Sequence, residues 1–223
     1  MIRTALTALI LSTLLLPGVS CAQTPRNLNE IPVFPGSKVD YAILEQEQNN
    51  FDDSTTGMKG LLAKGLNAAS TPSTPDAVFK WYASQLKAVV ETGDGYDPGL
   101  LKPGSSSPVQ YSLSYYEPED FENQYEHDKV IYDGQWVKSS IASRPRSSNG
   151  KVLRYARFIW EMVNTDGSRS EIDLTIDDAS FDYEKKIYSP RTSIVSTFMN
   201  FTANAETTED GEGDDTEEDT SED

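Results

Sequence analysis

Apolar residues recur at three- and four-residue spacing most clearly between Pro75 and Val90. Val78, Trp81, Tyr82, Leu86 and Val89 make one stripe there, interrupted only by Gln85. Thr74 is a good N-cap, Pro75 suits the first helical position and Asp76 complements the helix dipole, so a helix is predicted over 75–90. Gly93 lies just past it, and a Gly- and Pro-rich loop runs on to Pro108. After that the period falls to two. In 170–177, Ile172, Leu174 and Ile176 alternate with Glu171, Asp173, Thr175 and Asp177, the mark of a half-buried strand. Strands are also predicted over 109–116, 151–163 and 192–201, and a hairpin over 129–138 around Asp133-Gly134. Thr165-Asp166-Gly167-Ser168 is a turn, and 139–150 is a polar loop.

The N-terminal part carries weaker patterning. Pro35-Gly36 marks a turn, after which Val39, Tyr41 and Ile43 alternate and predict a strand over 38–46. Asn49–Thr56 is a polar loop. Gly57–Ser70 fits either a short helix through Leu61, Leu62 and Leu66 or a strand containing glycine. Consecutive strands joined by short turns, with one main helix, predict an α+β domain: an antiparallel sheet of about five to six strands with the helix packed on one face.

Three segments divide the chain. Residues 1–22 read as an export signal: Arg3, then the apolar run Leu6–Leu16, then Pro17-Gly18 and small residues up to Ala22. The run is shorter than the roughly 20 residues a spanning helix needs. Two cuts compete. Ser20 and Ala22 suit signal peptidase and would leave Gln23 first. Cys21, preceded by Val19-Ser20, suits lipoprotein processing, although Pro17 and Gly18 depart from the usual lipobox. Cys21 is the sole cysteine, and either cut removes or acylates it. The expected location is therefore periplasmic or extracellular, or alternatively lipid-anchored through Cys21. Residues 23–205 form the single domain. Residues 206–223 hold eleven acids and no base, out of a net charge of −17, and predict a disordered acidic tail. Such a tail solubilises, and it also offers sites for divalent cations or a basic partner. The acidic balance argues against nucleic-acid binding.

Several chemistries are excluded or weakened. One histidine, His127, rules out multi-histidine metal sites, and no cysteine remains for catalysis beyond Cys21. No Gly-x-Ser-x-Gly elbow or phosphate-cradling glycine motif is present, and no cofactor is expected. Three clusters remain. The 117–128 segment holds Glu117, Glu119, Asp120, Glu122, Glu126, His127 and Asp128. Glu126, His127 and Asp128 could ligate a divalent cation, and Glu119 with Glu126 could do paired-carboxylate hydrolysis. A solvated acidic loop accounts for the same composition, because catalytic carboxylates need a fixed separation. Arg144, Arg146 and Arg154, beside Lys151 and Arg157, are candidates for an anion site, against ordinary surface pairing. Trp136, near the hairpin turn, is the exposed stacking candidate, while Trp81 and Trp160 sit in core stripes.

Ile31-Pro32-Val33-Phe34-Pro35-Gly36-Ser37, followed by Ser73–Leu86, resembles a group of small uncharacterised bacterial exported proteins and lipoproteins. That group opens with Ile-Pro-x-(Tyr/Phe)-Pro-Gly-(Ala/Ser) and continues into a helix of the type (Ser/Thr)-x-(Asp/Glu)-x-Val-x-x-(Phe/Trp)-Tyr. The resemblance covers about 20 positions and implies a strand, a helix and an antiparallel sheet, with no activity attached. The leading functional expectation is an exported, non-catalytic envelope module with a binding or structural role, its partner an envelope protein or a small ligand. The alternatives are a carboxylate hydrolase using 117–128 and a calcium-responsive surface protein acting through the tail.

Overall fold

The computed structural model describes residues 24–91, 101–117, 134–182 and 185–203, excepting the side chains of 134–136. The elements in order are a 3-10 turn (Leu28–Glu30), β1 (Lys38–Val39), α1 (Tyr41–Thr55), β2 (Leu61–Thr71), α2 (Pro75–Leu86), β3 (Val89–Val90), β4 (Gln110–Tyr115), α3 (Gly134–Ala142), β5 (Leu153–Val163), β6 (Arg169–Asp178), β7 (Phe181–Asp182), β8 (Ile187–Tyr188) and β9 (Thr192–Phe201). The architecture is α+β. The main sheet differs from expectation: it has seven strands, in the order β1-β2-β9-β6-β5-β4-β3, and it is mixed. Its β3–β4 pair is parallel, while the other pairs are antiparallel. β7 and β8 form a separate two-stranded ribbon.

The parallel strand follows from where α2 stops. Lys87 adopts left-handed geometry (φ 51°), and its N–H turns back to the carbonyls of Ala83 and Ser84. Beyond that cap the β-branched pair Val89-Val90 runs extended beside β4, instead of completing a helical stripe.

Two further helices replace predicted β structure and, over 49–55 and 139–142, predicted polar loop. Over 41–55 the alternation of Val39, Tyr41 and Ile43 is overridden. Asp40 caps the helix by accepting from the Ile43 N–H, and Leu44, Gln48, Phe51 and Thr55 repeat at helical spacing, with Phe51 and Thr55 buried. Lys64 and Ser70 of β2 reach Asp52, Thr55 and Asp40, so α1 braces the β2 end of the sheet. Over 134–142 the buried pair Val137 and Ile141, four residues apart, packs on Val152 and selects a helix over the second hairpin strand. Lys129–Tyr132, the other half of that hairpin, lies outside the described residues.

The core lies between α2 and one face of the sheet. Val78, Tyr82 and Leu86 of α2 meet Ala156, Phe158, Trp160, Ile172, Leu174 and Ile176. Phe79 stacks on Phe158 at 5.7 Å between ring centres. Val78, Phe158, Ile172 and Ile176 are fully buried, each such side chain contributing about 1.5–3 kcal/mol of transfer free energy.

The register sorts the core face into rows. Trp160, Ile172, Phe198 and Gly65 form one row; Phe158, Leu174, Ser196 and Asn67 the next; Ala156, Ile176, Ile194, Ala69 and Val39 a third. α2 covers the β5–β6 end of these rows. The β9–β2 end is left to the N-terminal segment, which crosses the first row as a strap. The Trp160 Nε1–H donates to the Pro25 carbonyl at 2.7 Å. At the other end Leu28 sits over Gly65, where an added Cβ would lie 3.1 Å from the Leu28 Cδ1. That close approach explains a glycine in the middle of a strand.

Candidate functional site

One helix cannot cover a seven-stranded sheet, and the strap covers only part of the remainder. What is left is a cleft of about 320 Å³ over the β9–β2 end of the second and third rows. This is at the small end of ligand pockets, which run roughly 300–1,000 Å³. Its floor is Leu174, Ser196, Asn67, Ile194 and Ala69, and Tyr82 of α2 forms one wall. Leu28, Ile31, Pro32 and Val33 of the strap form the roof, and the segment from Ser37 to Val39, with Leu44, closes the far side.

The sequence builds each wall for a local reason. Pro32 and Pro35 hold the strap extended. Gly36, at φ 81°, then turns it into β1. Phe34 anchors the turn by meeting Trp81 edge-on at 5.4 Å. Burial pushes the Tyr82 hydroxyl up to about 12, so that wall stays uncharged. Val33 and Val39 stand 77% and 61% exposed at the rim, two large apolar side chains in water beside an apolar hollow. Among the described residues the lining holds no carboxylate, histidine or cysteine; its one charged member, Lys38, pairs with Ser70 and so stands on the strand face opposite Val39. The cleft is suited to holding an apolar body, with hydroxyl and amide groups from Ser196 and Asn67 to orient it.

The opposite face of the sheet is polar. Arg157 Nε donates to Asp173 Oδ2 at 2.6 Å. Glu161 and Glu171 are direct cross-strand partners, an arrangement of like charges that disfavours ionising both. Loss of solvent raises the carboxyls of Glu161, Glu171 and Asp173, and it raises Asp177 to about 6. Asp173 Oδ1 is buried without a hydrogen-bond partner. This face can take up protons. Among the described residues, no group of three or more His, Cys, Asp or Glu is placed to hold a metal ion.

The residues singled out from sequence fall elsewhere. Arg144 is buried and used internally. Its guanidinium pairs with Asp178 and lies over the rings of Phe181 and Tyr188 at 5.8 and 5.5 Å. Tyr116 Oη–H donates to the same carboxylate at 2.8 Å. An external anion would have to displace this arrangement. Arg146 is exposed and donates to the Gly150 carbonyl, and Arg154 lies over the Tyr116 ring at 5.9 Å. Trp160 is in the core and Trp81 packs against it. Trp136 is in the first turn of α3, and its side chain lies outside the described residues. Glu119, Glu126, His127 and Asp128, Cys21, and the tail from 206 onward also lie outside them. Sequence reading missed the cleft, because its lining is contributed by six separate stretches of chain: the strap, Ser37–Leu44, Asn67–Ala69, Tyr82, Leu174 and Ile194–Ser196. The signal that could have located it is the short, Pro-stiffened strap of 31–36 placed before a chain with only one clear amphipathic helix.

No family model matches the chain. No curated protein and no solved structure matches it either. Among the described residues no helix is long and apolar enough to cross a membrane.

Proposed function

We propose that this protein is an exported, non-catalytic binding module of the bacterial cell envelope, and that it holds a small apolar or amphiphilic molecule in the cleft between the strap and the β9–β2 end of the sheet. The observation that carries this reading is the cleft itself: a preformed apolar hollow with two exposed valines on its rim and hydroxyl and amide groups on its floor. Among the described residues the lining offers apolar contact with hydroxyl and amide groups and no acid–base pair. The order of residues in 1–22 supports export.

Binding is tested with phenylnaphthylamine, whose fluorescence rises in apolar surroundings. The full mature chain should enhance it saturably at one site, and Asn67→Trp, which fills the cleft from an exposed floor position, should remove the enhancement. Enhancement that survives Asn67→Trp places the dye elsewhere and defeats the reading. Export is tested by the intact mass of the protein from its native cells. A start at Gln23, or at an acylated Cys21, supports it, and a mass retaining residues 1–22 contradicts it.

A further inference from the structure

Resting on the binding reading above, we infer that the cleft takes its ligand polar end first: an uncharged, hydroxyl-bearing apolar molecule, an alcohol or phenol, whose hydroxyl lies against Ser196 and Asn67 while its hydrocarbon part fills the space under the strap. Polarity runs from mouth to floor in the reverse of the order that suits a soap-like amphiphile. The mouth is apolar: Val33 and Val39 stand in water at the rim, and Tyr41, two residues past Val39 at the start of α1, is exposed as well. The roof is aliphatic, from Leu28 and Ile31 to Val33. The polar groups are on the floor. Asn67 and Ser196 are register partners on adjacent strands, so their side chains lie side by side, with Leu174 next in the row.

Ser196 is only 7% exposed, yet neither its hydroxyl nor the Asn67 amide is hydrogen-bonded to another side chain or to the backbone among the described residues. Other buried hydroxyls are spent within the fold, as those of Thr55, Ser107, Ser170, Ser180 and Thr192 are. Ser193, also unbonded, lies on the opposite face of the sheet, beside Ser70. Within the lining, the hydroxyls of Ser37 and Tyr82 are taken up by the Phe34 backbone. Ser196 and Asn67 are therefore the polar groups left for a ligand. Each can both donate and accept, so one ligand hydroxyl can donate to one and accept from the other. A bare hydrocarbon pressed onto the floor would leave the Ser196 hydroxyl unsatisfied, which is costly. A charged end is disfavoured too. Lys38 stands on the other strand face, so among the described residues no charged side chain is turned to the floor. A carboxylate or ammonium carried there would be buried without a counter-ion.

The test is displacement of phenylnaphthylamine from the full mature chain, at about pH 7, by 4-ethylphenol, 4-ethyltoluene and 4-ethylbenzoate. These differ only in the group opposite the ethyl, and at that pH the phenol is uncharged and the benzoate ionised. Dye affinity is measured for each variant first, and a thermal melt establishes that Ser196→Ala folds. Comparing the effect of one substitution on phenol and toluene cancels their different hydration. Ser196→Ala should weaken 4-ethylphenol about fivefold, the scale of one uncharged hydrogen bond, and leave 4-ethyltoluene within about twofold. On wild type, 4-ethylbenzoate should compete at least about tenfold less well than 4-ethylphenol. If Ser196→Ala weakens phenol and toluene equally, or neither, or if 4-ethylphenol displaces no dye, the inward hydroxyl is refuted while the cleft remains a dye site. If the benzoate competes as well as the phenol, the uncharged class is refuted. If the dye still binds Asn67→Trp and the three compounds displace it as they do from wild type, the cleft reading fails and the ligand class fails with it.

Discussion

Replacing Arg144 by Met should destabilise the fold by about 4 kcal/mol. Breaking a buried ion pair by removing one partner costs about 3–5 kcal/mol, because the other charge is left uncompensated. The Arg144 and Asp178 side chains are 3% and 0% exposed, so solvent cannot take over for the missing guanidinium. The cation also loses its contact with the Phe181 and Tyr188 rings, worth about 1–2 kcal/mol when desolvated and counted within the total. Met keeps most of the volume, which limits any cavity contribution. Asp178 would keep the Tyr116 hydroxyl and the Ser180 N–H as donors. Urea unfolding followed by tryptophan fluorescence measures the loss. For a domain of this size the melting temperature should fall by about 10 °C, at roughly 2–4 °C per kcal/mol. Arg146→Met, two residues away and exposed, serves as the control and should stay within about 0.5 kcal/mol of wild type. The double change Arg144→Met with Asp178→Asn should regain about half of the loss, since it removes the orphaned charge and keeps an acceptor for Tyr116. If Arg144→Met proves no more costly than Arg146→Met, the ion pair does not hold α3 and the β7–β8 ribbon to the sheet, and the burial argument is wrong.

Stability should rise on mild acidification. The carboxyls of Asp177, Glu161, Glu171 and Asp173 are raised in the fold, chiefly by desolvation, so their stabilising contribution is full below the unfolded carboxylate range and is lost as pH climbs through the folded values, about 6 for Asp177. Asp40, Asp52 and Asp166 are lowered, so their contribution disappears only below the normal carboxylate range and is constant in this window. The melting temperature should therefore be higher near pH 5 than near pH 7.5, and Asp177→Asn should flatten the slope; a fall on going to pH 5 contradicts the assignment. Asp40→Ala removes the α1 cap and the contacts to Ser70 and Arg191, and should cost about 2 kcal/mol by urea unfolding. Trp160→Phe deletes the bond that pins the strap at Pro25, and should cost about 1–3 kcal/mol. It should also weaken phenylnaphthylamine binding, since the strap roofs the cleft; unaltered binding would show that the strap is held by other contacts.

β4, β5, β6 and β9 were legible, and in β5 and β6 the period-two pattern agrees with burial, whereas the short β7–β8 ribbon was not foreseen. Ile172, Leu174 and Ile176 are fully buried and their neighbours are not, and β9 runs over Thr192–Phe201 as predicted. α2 was legible down to its cap, with Thr74 accepting from the Ala77 N–H. α1 was misread because three alternating residues, Val39, Tyr41 and Ile43, mimic a strand start. The deciding features are the cap at Asp40 and the helical spacing of Leu44, Gln48, Phe51 and Thr55. α3 was misread because Asp133-Gly134 is a strong hairpin signal, and the Val137–Ile141 pair becomes visible only against Val152. Glycine content left β2 ambiguous, and the reason for Gly65 is a long-range one, the seat of Leu28. The cleft is of the same kind: each lining residue reads as an ordinary core or surface position in one dimension, and the site exists only once the register places Asn67 beside Ser196 and Leu174.

An amide chemical-shift map of the full mature chain titrated with phenylnaphthylamine addresses the binding reading most directly. Saturable shifts should cluster at Leu28–Val33, Val39, Asn67, Ala69, Ile194 and Ser196, and leave the carboxylate face of Glu161 and Glu171 unmoved. Shifts confined to that opposite face, or spread over the surface without saturation, would contradict a ligand cleft between the strap and the sheet.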